Sequence, residues 1–293
     1  MKRIIRIGSR ESALAVRQAE IVMQAVLESD PDIEFELVTI RTMGDKILDQ
    51  SLDAIGGKGL FIKELEQALL DNVIDIAVHS YKDLPYAEHP DLPIVALSSR
   101  EAPFDVLVLP DGSSELDNSI PIGSSSQRRS IQLKRLFQDI EIQPVRGNVN
   151  TRLAKLDLGI YSALVLAQAG LQRLGLRQRI TRVFTAEEMI PAGSQGILAV
   201  QSRKGENCAF LAEFHNWQSE VASLAERQFL RTLASDCTAP VAVFAELNGN
   251  HLLVRGMTVD TAGQAVFGHL VGDAARAQSL GEQLAMQMIE RSQ

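Results

Sequence analysis

Asp75-Ile-Ala-Val-His-Ser-Tyr-Lys-Asp-Leu-Pro85 is the stretch around which the rest of the chain can be organised. The apolar run from Ile74 to Val78 has the length of a buried strand. It gives way to polar residues and stops at Pro85, which can continue neither a ladder nor a helix. The pattern predicts a strand that presents His79, Ser80, Lys82 and Asp83 on a loop. In open α/β sheets ligands sit beyond the carboxyl ends of the strands. Lys82 is a cation able to hold an anion, and Asp83 a carboxylate able to move protons. A solvated charged loop would have the same composition, so the reading depends on what else converges there.

Upstream, Ile4–Ile7 reads as a first strand and Ser12–Ser29 as a helix, capped by Ser9 or Ser12 and closed by Pro31. Ile33–Ile40 reads as a second strand. The irregular segment from Arg41 ends in Gly56-Gly-Lys-Gly59, and a helix follows to about Asn72. Ile94–Leu97 adds a strand. Downstream the pattern begins again: strand Val106–Leu109, a helix from Gly123-Ser-Ser-Ser-Gln-Arg-Arg129 to Phe137, strand Ile140–Val145, helix Val149–Leu158, strand Ala163–Leu166 and a helix through Leu174. Ile197–Gln201 reads as a strand, with a helix to about Trp217. Alternating strands and helices argue parallel or mixed sheets with helices on both faces. The spacing suggests two α/β lobes, with crossings near Ser98–Pro103 and Met189–Gly196. No repeat is visible in the sequence itself.

The C-terminal part differs. A helix from Ser219 to Ala234 ends at Ser-Asp-Cys237, and strands Val241–Leu247 and His251–Met257 flank the hairpin signal Asn248-Gly-Asn250. A third strand, Gln264–Leu270, and a helix, Ala274–Ile289, complete a small α+β domain with an antiparallel sheet.

The 293 residues carry a net charge of -8. An acidic chain argues against nucleic acid as a partner. No segment has the apolar length of a membrane span, and the N-terminus has no signal-peptide core, so a cytoplasmic location without membrane attachment is expected. The two cysteines, Cys208 and Cys237, have neither metal spacing nor a disulfide framework. No metal site is expected, and nothing in the sequence demands an oligomer.

Within this acidic chain, cations collect at element junctions. Arg10 follows the first strand, Lys58 sits in a glycine-rich turn before a helix, and Lys82 follows the opening strand. Arg128 and Arg129 start a helix, and Arg146-Gly-Asn-Val-Asn-Thr-Arg152 repeats that arrangement. Helix N-termini and guanidiniums both suit carboxylates and phosphates. Each cation taken alone is an ordinary surface residue; together they predict a small ligand with several negative charges. Asp83 is the candidate acid/base group. Asp45 reads as a turn residue, His79 as a packed strand residue and Cys208 as a small apolar helix-face residue. Cys237, on a loop near Pro240, is either a nucleophile or attachment point, or a buried structural thiol.

With these motifs assembled, the chain resembles the porphobilinogen deaminase (hydroxymethylbilane synthase) family over nearly its whole length. The resemblance rests on Arg6-Ile-Gly-Ser-Arg-Glu-Ser12, Gly56-Gly-Lys-Gly-Leu-Phe61, Asp75–Pro85, Gly123–Arg129, Arg146–Arg152, Ala169-Gly-Leu-Gln-Arg-Leu-Gly175 and Cys237 followed by Pro240. It implies an α/β fold of two periplasmic-binding-protein-like lobes plus a small C-terminal α+β domain. The domains would be 1–98 with 194–217, 99–193, and 218–293.

The resemblance also implies a transferase of porphyrin and heme biosynthesis, cytoplasmic and monomeric. It would condense four porphobilinogen molecules head to tail, releasing ammonia, into a linear tetrapyrrole. A covalent dipyrromethane cofactor on Cys237 would prime the chain. Asp83, with Lys82, would be catalytic. Lys82, Asp83, Ser126, Arg128, Arg129, Arg152 and Gly170 would face the cofactor. Arg10, Ser12, Lys58, Phe61, Arg146, Asn148, Arg152, Arg173 and Gln195 would face substrate. The sequence departs from the family at Ala54, where Lys is frequent, at Ser235-Asp236, where glycines are usual, at Phe104, where Arg is common, and at Tyr81, where Met is frequent. A non-catalytic two-lobed small-anion-binding protein is the alternative from another class.

Overall fold

The structure, a computed structural model, describes residues 3–42, 62–87, 89–234 and 239–292. Asp45, Ala54, Lys58 with its glycines, Phe61 and Ser235 to Cys237 lie outside the described residues. The chain divides into two compact units: Met1–Arg100 with Ile197–Glu220, and Glu101–Gly196 with Val221–Gln293.

Along the chain the first elements are β1 (Arg3–Arg10), α1 (Ala13–Ser29), β2 (Ile33–Ile40), α2 (Lys63–Leu70), β3 (Ile76–Ser80) and β4 (Ile94–Leu97). There follow β5 (Asp105–Val108), β6 (Ile122–Gly123), α3 (Gln127–Leu136), β7 (Ile142–Gln143), α4 (Val149–Asp157), β8 (Ala163–Ala167), α5 (Gln168–Arg173) and β9 (Arg182–Val183). The last are β10 (Leu198–Ser202), α6 (Trp217–Thr232), β11 (Ala242–Asn248), β12 (His251–Val259), β13 (Ala265–Asp273) and α7 (Ala277–Ser292).

The sheet of the first unit has the order β2-β1-β3-β10-β4. β1 runs parallel to β2 and β3, and β10 runs antiparallel to β3 and β4. Helix α1 lays Ala19, Val22 and Val26 on one face of this sheet, against Ile5, Ile7, Ile76, Val78 and Val200. Helix α2 lays Leu65, Ala68 and Leu69 on Ile74, Ala77 and Leu92. Alternate residues of β3 therefore serve opposite cores, which is why the strand reads as one continuous apolar run. Burying each such aliphatic side chain contributes roughly 1.5–3 kcal/mol.

The second unit repeats the plan. Its larger sheet has the order β7-β6-β8-β5-β9, with β6 parallel to β7 and β8, and β5 antiparallel to β8 and β9. Val106, Val108, Leu164 and Leu166 face Leu153, Leu156 and Leu171. Leu107, Ile122, Ala163 and Val165 face Leu133, Phe184 and Met189. In both sheets the fourth strand is the antiparallel one, and it adjoins a crossing of the chain. The repeat is thus topological and has no counterpart in residue identity. These are the two α/β lobes that the alternation of strands and helices suggests.

The C-terminal α+β domain belongs to the second unit. Its antiparallel meander β11-β12-β13 turns at Gly249, where φ is 58°, a conformation that glycine adopts without strain. One face of the meander carries Ala242, Phe244 and Met257 onto Ala186, Ile190 and Phe104. Phe104 meets Phe244 edge to face, with ring centroids 5.9 Å apart. The departure from Arg at position 104 therefore has a packing partner in this chain.

Several expectations shift. Strand β3 extends through Ser80, so His79 and Ser80 lie in the sheet rather than on a loop. Strand β7 is only Ile142–Gln143, and β9 is too short to have been read from sequence. No α-helix follows β10 before α6; a single 3₁₀ turn, Ala209–Leu211, takes its place and buries Leu211. Gly205, at φ 86°, turns the chain ahead of it. Cys208 therefore precedes a turn instead of lying on a helix face, half-buried against the first core with its Sγ 3.5 Å from Ser202 Oγ.

Candidate functional site

In the first unit, the candidate residues lie where parallel strands end. β1 stops at Arg10, and Ser12 caps α1 by accepting from the Ala15 N–H at 3.3 Å. The Ser12 hydroxyl oxygen is thus already a helix cap, which leaves its O–H as the group able to face a ligand. β3 stops at Ser80 and winds at once into a 3₁₀ turn, Tyr81–Asp83. Tyr81 fills the core beside Leu84, Leu97 and Ile197, and its N–H donates to the Ile197 carbonyl at 3.0 Å. With Tyr81 and Leu84 pointing inward, Lys82 is half-buried and Asp83 exposed. The large apolar residue at position 81 anchors this turn.

Two buried amides brace it. Gln18 Nε2 donates to Ser80 Oγ at 2.8 Å, tying α1 to the end of β3. His79 Nε2 lies 3.1 Å from Gln201 Oε1, and Gln201 Nε2 donates to the Leu92 carbonyl at 3.0 Å and to Glu66 Oε1 at 3.2 Å. Burial pushes the His79 imidazole down to about 4, and the nearby Arg10 charge acts in the same direction against the Gln201 hydrogen bond. His79 is therefore a neutral, packed residue under the exposed turn.

In the second unit, candidates again follow parallel strands. After β6, Ser126 caps α3 by accepting from the Arg129 N–H at 3.4 Å. After β7, Asn148 caps α4 by accepting from the Thr151 N–H at 2.9 Å, and Arg152 Nε donates to the Gly147 carbonyl at 2.8 Å. Arg146 is half-buried just ahead of that cap. After β8, Gly170 and Arg173 lie on α5.

Arg128 and Arg129 are both buried, and both reach Asp105 at the start of β5. Arg128 Nη1 donates to Asp105 Oδ2 at 2.7 Å and to the Ile190 carbonyl at 2.8 Å. Arg129 donates to Asp105 Oδ1 from Nε at 3.1 Å and from Nη2 at 2.7 Å, and from Nη1 to the Val165 carbonyl at 3.0 Å. Gln195 Nε2 gives Asp105 Oδ1 a further bond at 3.1 Å and donates to the Pro103 carbonyl at 2.6 Å. Burial opposes ionisation of Asp105, but the two guanidiniums outweigh it and hold the carboxyl well below the usual range. Two cations in the first turn of α3 sit at the positive end of a helix dipole, with no acidic residue in that turn. Asp105 offsets that from outside the helix.

Arg173 Nη2 donates to the Gly196 carbonyl at 2.6 Å, where the Glu101 N–H also donates at 3.1 Å. Burial lowers the Arg173 guanidinium to about 10, with Glu101 opposing. The neighbouring Ser194, at φ 62°, donates its N–H to Glu226 Oε2 at 2.6 Å, and Glu226 Oε1 accepts from the Ala245 N–H at 2.7 Å. Glu226 thus joins the returning crossover, α6 and β11.

The structure therefore brings Arg10, Ser12, Lys82 and Asp83 to one edge of the first sheet, and Arg128, Arg129 and Gln195 onto one carboxylate in the second unit. Asp105, Gln18, Gln201 and Glu226 were missed by sequence reasoning. A signal existed for Asp105: a charged residue heading a fully buried apolar strand must be paired. Gln18, on the buried face of an amphipathic helix, gave a weaker one. Among the described residues no group of three His, Cys, Asp or Glu side chains is placed to hold a metal, and no helix is long and apolar enough to cross a membrane.

Chemically, the second unit offers guanidiniums and capped helix starts suited to carboxylates, and the first offers an exposed carboxylate beside a lysine. Comparison with known proteins places the chain in a family. Residues 5–209 match the description "Porphobilinogen deaminase, dipyromethane cofactor binding domain", and residues 221–290 match "Porphobilinogen deaminase, C-terminal domain". The chain is 51% identical to a protein of Acetivibrio thermocellus named porphobilinogen deaminase, over 98% of this chain and 98% of that one. Proteins of that name from Alkaliphilus oremlandii and a Nostoc species are 52% and 42% identical, covering 97% of this chain in each case and 96% and 90% of theirs. Matched end to end in both its cation-rich lobes and its C-terminal domain, the chain belongs to the porphobilinogen deaminase family.

Proposed function

We propose that this protein is a hydroxymethylbilane synthase, which condenses four porphobilinogen molecules head to tail with loss of ammonia. The observation that carries this reading is the placement of Asp83: an exposed carboxylate on a turn held by buried Tyr81 and Leu84, directly after a central strand. Positioned rigidly yet open to a ligand, Asp83 assists departure of the protonated amine, stabilises the cation formed, and takes up the pyrrole proton. Lys82, beside it, holds a substrate carboxylate. A binding protein without chemistry would use the cations but has no task for this carboxylate.

The donor set of the second unit fits a group bearing several carboxylates: guanidiniums at Arg128, Arg129 and Arg152, and the Ser126 cap, with Gly170 on α5. A dipyrromethane on Cys237 supplies the primer onto which the product is built. Arg10, Ser12, Lys58, Phe61, Arg146, Asn148, Arg152, Arg173 and Gln195 bind and orient the incoming pyrrole. We further read the domains as 1–98 with 194–217, 99–193 and 218–293, and the enzyme as a cytoplasmic monomer.

Purified protein incubated with porphobilinogen should form hydroxymethylbilane and carry an intact-mass increment of two pyrrole units, and Cys237→Ala should lack both. Wild type that stays unmodified and inactive would overturn the assignment.

A further inference from the structure

Asp105 gathers four side-chain donors from three residues. It is fully buried at the head of β5 and accepts from Arg128, from Arg129 at two nitrogens, and from Gln195. The two guanidiniums come from adjacent residues of α3, while Gln195 comes from the returning crossover. Well-packed apolar residues often serve stability as well as a buried ion pair does, so stability alone does not account for this trio.

The shared carboxylate also fixes orientation. Oδ1 takes Nε and Nη2 of Arg129, Oδ2 takes Nη1 of Arg128, the Val165 carbonyl takes Nη1 of Arg129, and the Ile190 carbonyl shares Nη1 of Arg128. These bonds use three of the five N–H donors of Arg129. A guanidinium held along one edge presents its remaining donors in a fixed plane, as bidentate carboxylate recognition requires.

We propose that Asp105 is a positioning residue: it aligns Arg128 and Arg129 as a pair that takes one further carboxylate of the bound pyrrole chain. The inference rests on the reading that these arginines bind ligand carboxylates.

The test uses the full-length protein. Loading with porphobilinogen is followed by intact mass, and KM and kcat are taken per loaded molecule. For folded Asp105→Asn, loading should slow and KM rise about tenfold, with kcat falling less than about threefold, the split expected when ground-state positioning is lost. Asp105→Glu, which keeps the charge but shifts it by one methylene, should fall between. In an Arg129→Leu background, Asp105→Asn should cause a smaller further loss of loading than it causes alone, because only Arg128 is left for the aspartate to align. Unchanged loading and KM in folded Asp105→Asn would overturn the proposal, as would an additive loss in the Arg129→Leu background. If Asp105→Asn does not fold, Asp105→Glu decides: wild-type loading and KM overturn the proposal, and raised KM with cooperative unfolding supports it. Normal loading by both Arg128→Leu and Arg129→Leu would instead remove the carboxylate-binding reading itself, and this inference with it.

Discussion

His79 and Gln201 meet diagonally on antiparallel strands β3 and β10, with Nε2 and Oε1 3.1 Å apart inside the first unit. The Gln201 amide nitrogen is occupied by the Leu92 carbonyl and Glu66, so its oxygen is turned to the imidazole, and His79 is the Nε2–H tautomer. Burial is the main reason the imidazole drops from 6.5 to about 4, with the Arg10 charge assisting. Unfolded chains bind this proton below about pH 6.5 and the folded protein only below about 4, so stability is lost as pH falls through that window. At about 1.4 kcal/mol per unit, the loss approaches about 3 kcal/mol. Thermal midpoints measured from pH 7 to pH 4 should fall accordingly. His79→Asn should flatten the part of the profile that His79 causes; an unchanged slope would assign the acid sensitivity elsewhere.

Breaking the buried trio should be far more costly than breaking a surface pair. Arg129→Leu removes two bonds to Asp105 and one to Val165, and leaves the carboxylate with a reduced partner set. Urea denaturation should show a loss of about 3–5 kcal/mol. Arg17→Ala breaks an ion pair with Glu20 in which both side chains are nearly half exposed, and should change stability by less than about 1 kcal/mol.

Asp83→Asn should bind porphobilinogen but turn over about 10²–10⁴-fold more slowly, the range typical of a lost acid/base group. Asp83→Ala should be slower still. Because Asp83 is exposed, neither change should lower the unfolding midpoint appreciably. Single-turnover chase of loaded enzyme separates binding from chemistry, and near-normal rates would take Asp83 out of the mechanism.

Glu226→Ala should orphan the Ser194 and Ala245 N–H groups, each at a cost of about 1–3 kcal/mol. Amide exchange should quicken first at these two residues, because both bonds end on Glu226, whereas the Val243 N–H bond to the Pro191 carbonyl does not depend on it. Glu226→Gln keeps an acceptor for one of the two and should lie between. Exchange unaltered at both positions would show that the contact does not hold the crossover.

Position 105 shows where sequence reading stops. The apolar run Val106–Leu109 reads as a strand, and Asp105 lies just ahead of that run. Only the pairing of β5 with β8 and the position of α3 bring Arg128, Arg129 and Gln195, all distant in sequence, to that carboxylate. His79 shows the converse: its reading as a packed, hydrogen-bonded residue needed only its place in an apolar strand, whereas its partner lies 122 residues away. The helix expected directly after β10 does not form: Gly205 turns the chain, and a single 3₁₀ turn is enough to bury Leu211.

The sequence by itself determined the alternation of strands and helices, the antiparallel C-terminal meander, and the junctions where cations gather. These depend on local periodicity, caps and turn residues, which act over a few positions. The tertiary structure decided which cations are committed and which anion they serve. Burial and charge compensation are set by what the fold packs against a side chain, and the partners of Arg128, His79 and Glu226 come from elements far along the chain. The Lys82–Asp83 pair lies between these cases. Its chemistry was legible in its residues, but its exposure follows from Tyr81 and Leu84 turning inward to a core that only the folded sheet provides.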